Sequence, residues 1–150
     1  MILIVKIIEV DMDTQGKKKL TVIVPAYNVE DYIGECLNSL VNQTQKNHKI
    51  IVVNDGSIDK TEEICLQYRD KYKDLIYQEN KGLGGARNTG MQYVDTPYLT
   101  FLDSDDWLNI RFVERFSQLI EWVDEKPEMI FTLPWVFDSV TNCIRPWKDK

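Results

Sequence analysis

Three carboxylates in one short segment give the sequence its clearest chemical signal. Asp103, Asp105 and Asp106 directly follow an apolar run at residues 98–102. Carboxylates one residue apart can share a hard cation and leave positions open for phosphate oxygens, a design that suits Mg²⁺ or Mn²⁺. The alternative is an acidic N-terminus for the helix that follows, stabilised by its dipole. The apolar strand that leads into the cluster favours the metal site.

A second polar segment, residues 54–57, reads Asn-Asp-Gly-Ser and also follows an apolar run. Taken alone, this is a tight turn with a helix cap. In a binding site, Asp55 would accept a hydrogen bond from a ring N–H such as that of uracil, and Gly56 would permit a tight backbone path. Cytosine lacks that donor and would leave a buried carboxylate unpaired. From the residues alone, the segment is either a turn with a helix cap or a reader of the nucleobase.

The glycine-rich segment at residues 81–85 precedes Arg87. The glycines alone are as consistent with a flexible loop as with phosphate binding, and an arginine on a helix surface is common. A guanidinium just inside a helix can nevertheless make paired hydrogen bonds to a diphosphate. Tyr27 is either a half-buried aromatic or a stacking surface for a base.

The elements that must position these residues alternate between strand and helix. This alternation predicts an α/β fold with a mostly parallel sheet, and ligands of such sheets bind beyond the carboxyl ends of the strands. Loops at 25–28, 54–57, 80–85 and 103–106 should therefore converge at one edge. The predicted strands are 20–24, 49–53, 75–78, 98–102 and 129–137, the last followed by a hairpin at 139–142. One predicted helix carries Ile33 to Val41, and a second begins at Ser57 or Asp59. Two more cover 86–93 and 109–123.

Composition narrows the function classes. A chain of 150 residues with 43% hydrophobic content fits one domain. Its net charge of -6 argues against nucleic-acid binding. The apolar first ten residues are interrupted by Lys6 and fall short of the roughly 20 that a membrane helix needs, so we expect an added strand or extension there and no membrane span. Three widely spaced cysteines, expected to be buried, fit a reducing cytoplasm. We expect His48 to be solvent-exposed and Trp122 to be packed.

Four motifs in order carry a family resemblance. They read Val-Ile-Val-Pro-Ala-Tyr-Asn at 22–28, Val-Val-Asn-Asp-Gly-Ser-Ile-Asp-Lys-Thr at 52–61, Glu-Asn-Lys-Gly-Leu-Gly-Gly-Ala-Arg-Asn-Thr-Gly at 79–90 and Phe-Leu-Asp-Ser-Asp-Asp-Trp at 101–107. Together they resemble the family 2 glycosyltransferases with the GT-A fold, a Rossmann-like sheet flanked by helices.

This resemblance implies an inverting sugar transfer from a nucleoside-diphosphate sugar, most often UDP-linked, to a glycan, polysaccharide or wall-polymer acceptor. It implies a metal, Mn²⁺ or Mg²⁺, bridging Asp105 and the diphosphate, with Asp103 against the ribose or sugar. It also implies the remaining donor contacts: Pro25 and Tyr27 at the nucleoside, Asp55 at the base, and Asn80 and Arg87 at the base or phosphate.

Members of that family continue into a second half that binds the acceptor and supplies the catalytic base. We therefore expect residues 1–19 to be an N-terminal extension, residues 20–150 an incomplete GT-A domain, and the base to lie beyond Lys150, since Glu128 and Asp138 are more easily surface groups. The chain alone should transfer sugar negligibly and should self-associate through its uncovered edge. Its location would be cytoplasmic, or peripheral at the inner face of the membrane in a longer parent. The alternative function is an inactive module that binds UDP or a UDP-sugar, or serves as an interaction surface.

Overall fold

A six-stranded mixed sheet organises the described part of the protein. The computed structural model describes residues 2–7, 18–72, 74–123, 127–132, 135–138 and 143–146. Within these ranges the strands are β1 (Ile2–Lys6), β2 (Leu20–Ala26), β3 (His48–Asn54), β4 (Asp74–Tyr77), β5 (Tyr98–Phe101), β6 (Met129–Thr132), β7 (Trp135–Asp138) and β8 (Cys143–Pro146). The helices are α1 (Ile33–Val41), α2 (Thr61–Gln67), α3 (Gly82–Met91) and α4 (Phe112–Trp122).

Six strands form the main sheet in the order β4-β3-β2-β5-β1-β6. β2 pairs in parallel with both β3 and β5, and β3 pairs in parallel with β4. This arrangement confirms the predicted α/β fold with a mostly parallel sheet. β1 is the added strand that the apolar N-terminus suggested, and it runs antiparallel between β5 and β6.

Two hydrophobic clusters cover the two faces of the sheet. Val22, Val24 and Ile50 belong to the larger cluster, together with side chains of α1, α2 and α4. Ile23, Ile51 and Val53 alternate to the other face, where they pack with Ala86 of α3. This alternation is the two-residue period of a strand buried on both faces, which reads as a continuous apolar run in the sequence. No helix in the described ranges is long and apolar enough to cross a membrane.

Several predicted boundaries are corrected. α2 begins at Thr61 and not at Ser57 or Asp59. Asp59 lies before the helix, and its Oδ1 accepts a hydrogen bond from the Thr61 N–H at 3.0 Å. α3 begins at Gly82 and not at residue 86, so most of the glycine run is helical. The predicted strand at 129–137 is two strands, since β6 joins the main sheet while β7 pairs with β8. The antiparallel pairing of β7 and β8 agrees with the predicted hairpin, whose turn at 139–142 lies outside the described residues.

Two side chains were also predicted wrongly. His48 is only 5% exposed, because as the first residue of β3 it packs against the end of α1, where its Nε2–H donates to the Leu40 carbonyl at 3.1 Å. Trp122 is 82% exposed, since it is the last residue of α4 and projects beyond the core. Cys36 and Cys65 are buried free thiols, as predicted.

Candidate functional site

The loops that follow β2, β3, β4 and β5 meet at the carboxyl edge of the sheet, as predicted. The loops after β2 and β3 are joined through Asn28, whose backbone N–H donates to Ser57 Oγ at 3.1 Å. The Asn28 Oδ1 accepts from the Ile58 N–H at 2.9 Å. Asn28 adopts a φ of 50°, a left-handed conformation that asparagine tolerates better than most residues. These bonds hold two loops of the candidate site in one fixed arrangement.

Asp55 joins the loops after β3 and β4. It is 2% exposed, and its Oδ1 accepts hydrogen bonds from the Lys81 N–H at 2.9 Å and from Gln78 Nε2. None of the hydrogen bonds between described residues uses Oδ2. Asp55 therefore has one carboxylate oxygen committed to the fold and a second that can accept a bond from a ligand.

Gly56 allows the same two loops to approach each other. Its φ is +75°, and a Cβ at this position would lie 3.0 Å from the backbone nitrogen of Asn80. A side chain would therefore meet both backbone strain and a close contact. The tight path predicted for Gly56 is confirmed. Asn80 itself is exposed, and its Oδ1 accepts from the Gly82 N–H at 3.0 Å.

Arg87 and Asp103 form an ion pair that the sequence did not suggest. Arg87 Nη2 lies 2.6 Å from Asp103 Oδ1, and the guanidinium carbon lies 5.3 Å from the centre of the Phe101 ring. Arg87 Nε is buried and has no hydrogen-bond partner among the described residues. The guanidinium is thus fixed beside the acidic cluster with part of its donor capacity unused.

The acidic cluster continues from Asp103 to Asp105 and Asp106, which are both exposed. Partial burial raises the pKa of Asp106, and the neighbouring charges of Asp105 and Asp103 raise it further. Burial likewise raises the pKa of the Cys36 thiol, which lies under the cluster with its Sγ 3.9 Å from the Asp103 carbonyl oxygen, to about 12. The three carboxylates are close enough to repel one another, which is the electrostatic condition that a bound cation relieves.

The acidic cluster suits an ion such as Mg²⁺, which takes part of its coordination from water and phosphate, better than an ion held entirely by protein side chains. Among the described residues no three His, Cys, Asp or Glu side chains are arranged to hold a metal. Mg²⁺ and similar hard cations commonly take one or two carboxylates and complete their coordination with water and substrate phosphates. Neither Asp105 nor Asp106 makes an ion pair within the described ranges, whereas Asp103 pairs with Arg87, so both carboxylates are available as ligands.

Of the remaining predicted residues, Tyr27 and Pro25 lie at the carboxyl end of β2. Tyr27 is 49% exposed at the end of β2, so its ring is available for contact, whereas Pro25 is buried inside β2 opposite Val53. Glu128 lies at the other edge, where it pairs with Lys6 at 3.2 Å, and is therefore a surface group as predicted. The side chain of Asp138 lies outside the described part.

Sequence reasoning missed Gln78, Phe101 and Asn28 as supports of the site. Gln78 holds Asp55, Phe101 lies against Arg87, and Asn28 bridges two loops. The only available signal was position, because each of the three sits within two residues of the carboxyl end of a strand.

Comparison with known proteins bears on the same segments. Residues 21–148 match the family model described as Glycosyl transferase family 2. The chain is 48% identical over 107 residues to Glycosyltransferase GlyA of Streptococcus pneumoniae, which covers 69% of this chain and 15% of that protein. It is 40% identical over 96 residues to Poly(ribitol-phosphate) beta-glucosyltransferase of Bacillus spizizenii, which covers 60% of this chain and 15% of that protein.

A solved structure agrees with this likeness. S. aureus TarS in complex with UDP-GlcNAc matches with a TM-score of 0.65 and 35% identity, over 69% of this chain and 31% of that one. The chain therefore spans less than a third of the length of each of these three relatives.

Proposed function

Because the chain belongs to glycosyl transferase family 2 and has the GT-A fold, we propose that it binds a UDP-sugar at the carboxyl edge of the sheet for inverting transfer to a glycan or wall-polymer acceptor. The observation that carries the proposal is the meeting of a buried carboxylate with one oxygen left unused, a fixed guanidinium and an acidic cluster at one edge. These are the groups that a nucleobase, a diphosphate and its metal ion would each require.

The nucleoside would bind beside Asp55 and Tyr27. The free Oδ2 of Asp55 would accept the ring N–H of uracil, while Oδ1 keeps its bonds to Gln78 and Lys81. The exposed Tyr27 ring would stack on the base. Pro25, buried in β2, would fix the backbone from which Tyr27 extends, and the exposed Asn80 would contact the base or phosphate side of the donor.

The diphosphate and metal would bind between Arg87 and Asp105. When bound, Mn²⁺ or Mg²⁺ would neutralise phosphate charge and polarise the bond to the sugar. Asp105 would be its ligand, and Asp103 would face the ribose or sugar. Arg87 would turn its unused donors to the diphosphate, because the ion pair with Asp103 and the Phe101 ring already hold it at the correct edge.

The names of two relatives support the substrate classes. TarS was solved with UDP-GlcNAc, and the Bacillus spizizenii relative is named for glucosyl transfer to poly(ribitol phosphate). We therefore propose a UDP-sugar as donor and a wall polymer as acceptor. The free thiols of Cys36 and Cys65 support a reducing location such as the cytoplasm.

Calorimetry of UDP binding tests the donor site. With Mn²⁺ the affinity should be at least about tenfold higher than in excess chelator, because the diphosphate and the carboxylates otherwise repel each other. Asp105→Asn should lose most of this metal effect. Glu63→Gln, which removes the same charge from an exposed position on α2, is the matched control and should keep it. Equal affinity with Mn²⁺ and with chelator would contradict the role given to Asp105.

Transfer and binding alone must then be separated. An inactive UDP-binding module would show the same calorimetry but no turnover. Release of UDP from UDP-GlcNAc, with and without a phosphate-polymer acceptor, distinguishes the two functions. Turnover that Asp105→Asn abolishes supports a transferase and contradicts the expectation that the chain alone transfers sugar negligibly. Intact metal-dependent binding without turnover agrees with that expectation and also with the module.

A further inference from the structure

A second cavity lies at the edge of the sheet opposite the donor site. It encloses about 300 Å³ at the amino ends of β2, β3 and β4. Its apolar lining is formed by Leu40, Val41, Ile50 and the ring of Tyr72, all buried or partly buried. Its charged lining consists of exposed side chains, namely Lys18, Lys46, Lys71 and Asp70. The cavity thus combines an apolar floor with a mainly cationic rim.

The charge of the rim is opposite in sign to the net charge of the whole chain. Three lysines against one aspartate give the rim a net charge of +2, although the whole chain carries -6. Lys46 Nζ donates to the Val41 carbonyl at the end of α1, which offsets the negative end of the helix dipole there. An ammonium has three donors, so Lys46 retains two for a ligand. Lys18 makes no hydrogen bond to another described residue.

His48 reports on the charge of this cavity. It is buried in the lining, and its Nδ1 has no hydrogen-bond partner among the described residues. Burial lowers the pKa of His48, and the charges of Lys18 and Lys46 lower it further. An anion bound between Lys18 and Lys46 would reduce the effect of these two charges on the imidazole.

We propose that this cavity binds the phosphate group of a phosphate ester, with its carbon portion against Leu40, Ile50 and Tyr72. Lysine binds phosphate as a point charge and needs no bidentate geometry, which suits three flexible side chains around one opening. The volume is at the small end of ligand pockets and fits a phosphate with a short polyol. This site is independent of the donor site, since the two occupy opposite ends of the same strands.

The single histidine of the chain makes the site directly observable. In ¹H–¹⁵N spectra of the full chain, glycerol 3-phosphate should produce a saturable shift of the His48 ring signals and raise the His48 pKa. Lys18→Gln and Lys46→Gln should each weaken this binding by about fivefold to tenfold, since each removes a charged donor. Lys60→Gln, an exposed lysine before α2, is the matched control and should bind as the unmodified chain does.

Further arms separate this site from the donor site and from other anions. Asp105→Asn, and the chain saturated with UDP and the diamagnetic ion Mg²⁺, should keep the full His48 response even if the proposed transferase function is wrong. Sodium chloride at the same ionic strength should produce no saturable shift. The proposal is overturned if chloride reproduces the shift, if Lys60→Gln weakens binding as much as Lys18→Gln, or if only anionic phospholipid vesicles move the His48 signals.

Discussion

Replacing Asp55 should affect both the stability of the protein and its choice of base, and the two effects can be measured separately. Asp55→Ala removes a 2% exposed carboxylate that accepts bonds from the Lys81 N–H and from Gln78 Nε2. Hydrogen bonds to a charged group contribute roughly 1.5–3 kcal/mol each. Gln78 is only partly buried and can be solvated, and the desolvation cost of the carboxylate disappears with it. We therefore expect a loss of about 2–4 kcal/mol in the free energy of unfolding.

Asp55→Asn is the sharper substitution because it keeps the shape of the side chain. Its amide oxygen can still accept from Lys81 and Gln78, but neutral hydrogen bonds are about half as strong as charged ones. The expected loss of stability is about 1–2 kcal/mol. Glu63→Gln removes the same charge at an exposed position and should change stability by less than about 0.5 kcal/mol.

The same pair of variants tests the reading of the base. The Asp55 carboxylate only accepts hydrogen bonds, whereas an asparagine amide also donates and can pair with the ring nitrogen of cytosine. With Mn²⁺ present, the preference for UDP over CDP should therefore fall by at least about tenfold in Asp55→Asn. Urea unfolding followed by circular dichroism gives the stability, and calorimetry with each nucleotide gives the preference.

The structural role and the base-reading role of Asp55 can be refuted separately. An unfolding free energy of Asp55→Ala within about 0.5 kcal/mol of the unmodified chain would refute the structural role, because even partly buried donors that lose a charged acceptor must cost more. An unchanged preference of Asp55→Asn for UDP would refute the base-reading role, whatever the stability shows.

Three further predictions concern packing, pH and assembly. Gly90→Ala places a Cβ 2.5 Å from Ile23 Cγ2 and should cost about 1–3 kcal/mol in urea unfolding, whereas Gly84→Ala, with open space around it, should be neutral or stabilising. The pKa of His48 in the folded chain is below its usual 6.5, so His48 of the unfolded chain takes up a proton first as the pH falls. The free energy of unfolding should therefore decrease below about pH 6.5 by at most about 1.4 kcal/mol per pH unit, and His48→Gln should remove this slope. β6 is an edge strand of the six-stranded sheet, so we expect light scattering to detect species larger than a monomer, and a strictly monomeric solution would contradict this.

The central sheet was predictable because its strands are locally encoded. β2 and β3 are continuous apolar runs bounded by polar residues, and the observed strands extend the predicted ones by no more than two residues at either end. The convergence of four loops then followed from the rule for parallel strands. The candidate residues on these loops could therefore be named from the sequence alone.

Features that depend on distant partners were not predictable. The sequence suggested that the apolar N-terminus adds a strand, but not that β1 lies between β5 and β6, since those partners are about 90 or more residues away. His48 has polar neighbours in sequence, and only the end of α1 packed above it removes it from water. The ion pair of Arg87 with Asp103 likewise requires α3 and β5 to be placed side by side.

The glycine-rich segment at residues 81–85 shows that residues whose composition suggests a loop can form a helix when they are packed. Glycines at 82, 84 and 85 suggested a loop, yet α3 begins at Gly82. A side chain at Gly85 would collide with Lys81, and one at Gly90 would collide with Ile23 of β2. Gly90 therefore lets α3 lie directly on the sheet, at the cost of helix propensity. Arg87 stands one turn before Gly90, so the close approach that the glycine permits is also what brings the guanidinium within 2.6 Å of Asp103. Gly90 thus acts on the candidate site through packing, and a bulkier residue at position 90 should displace Arg87 as well as destabilise the fold.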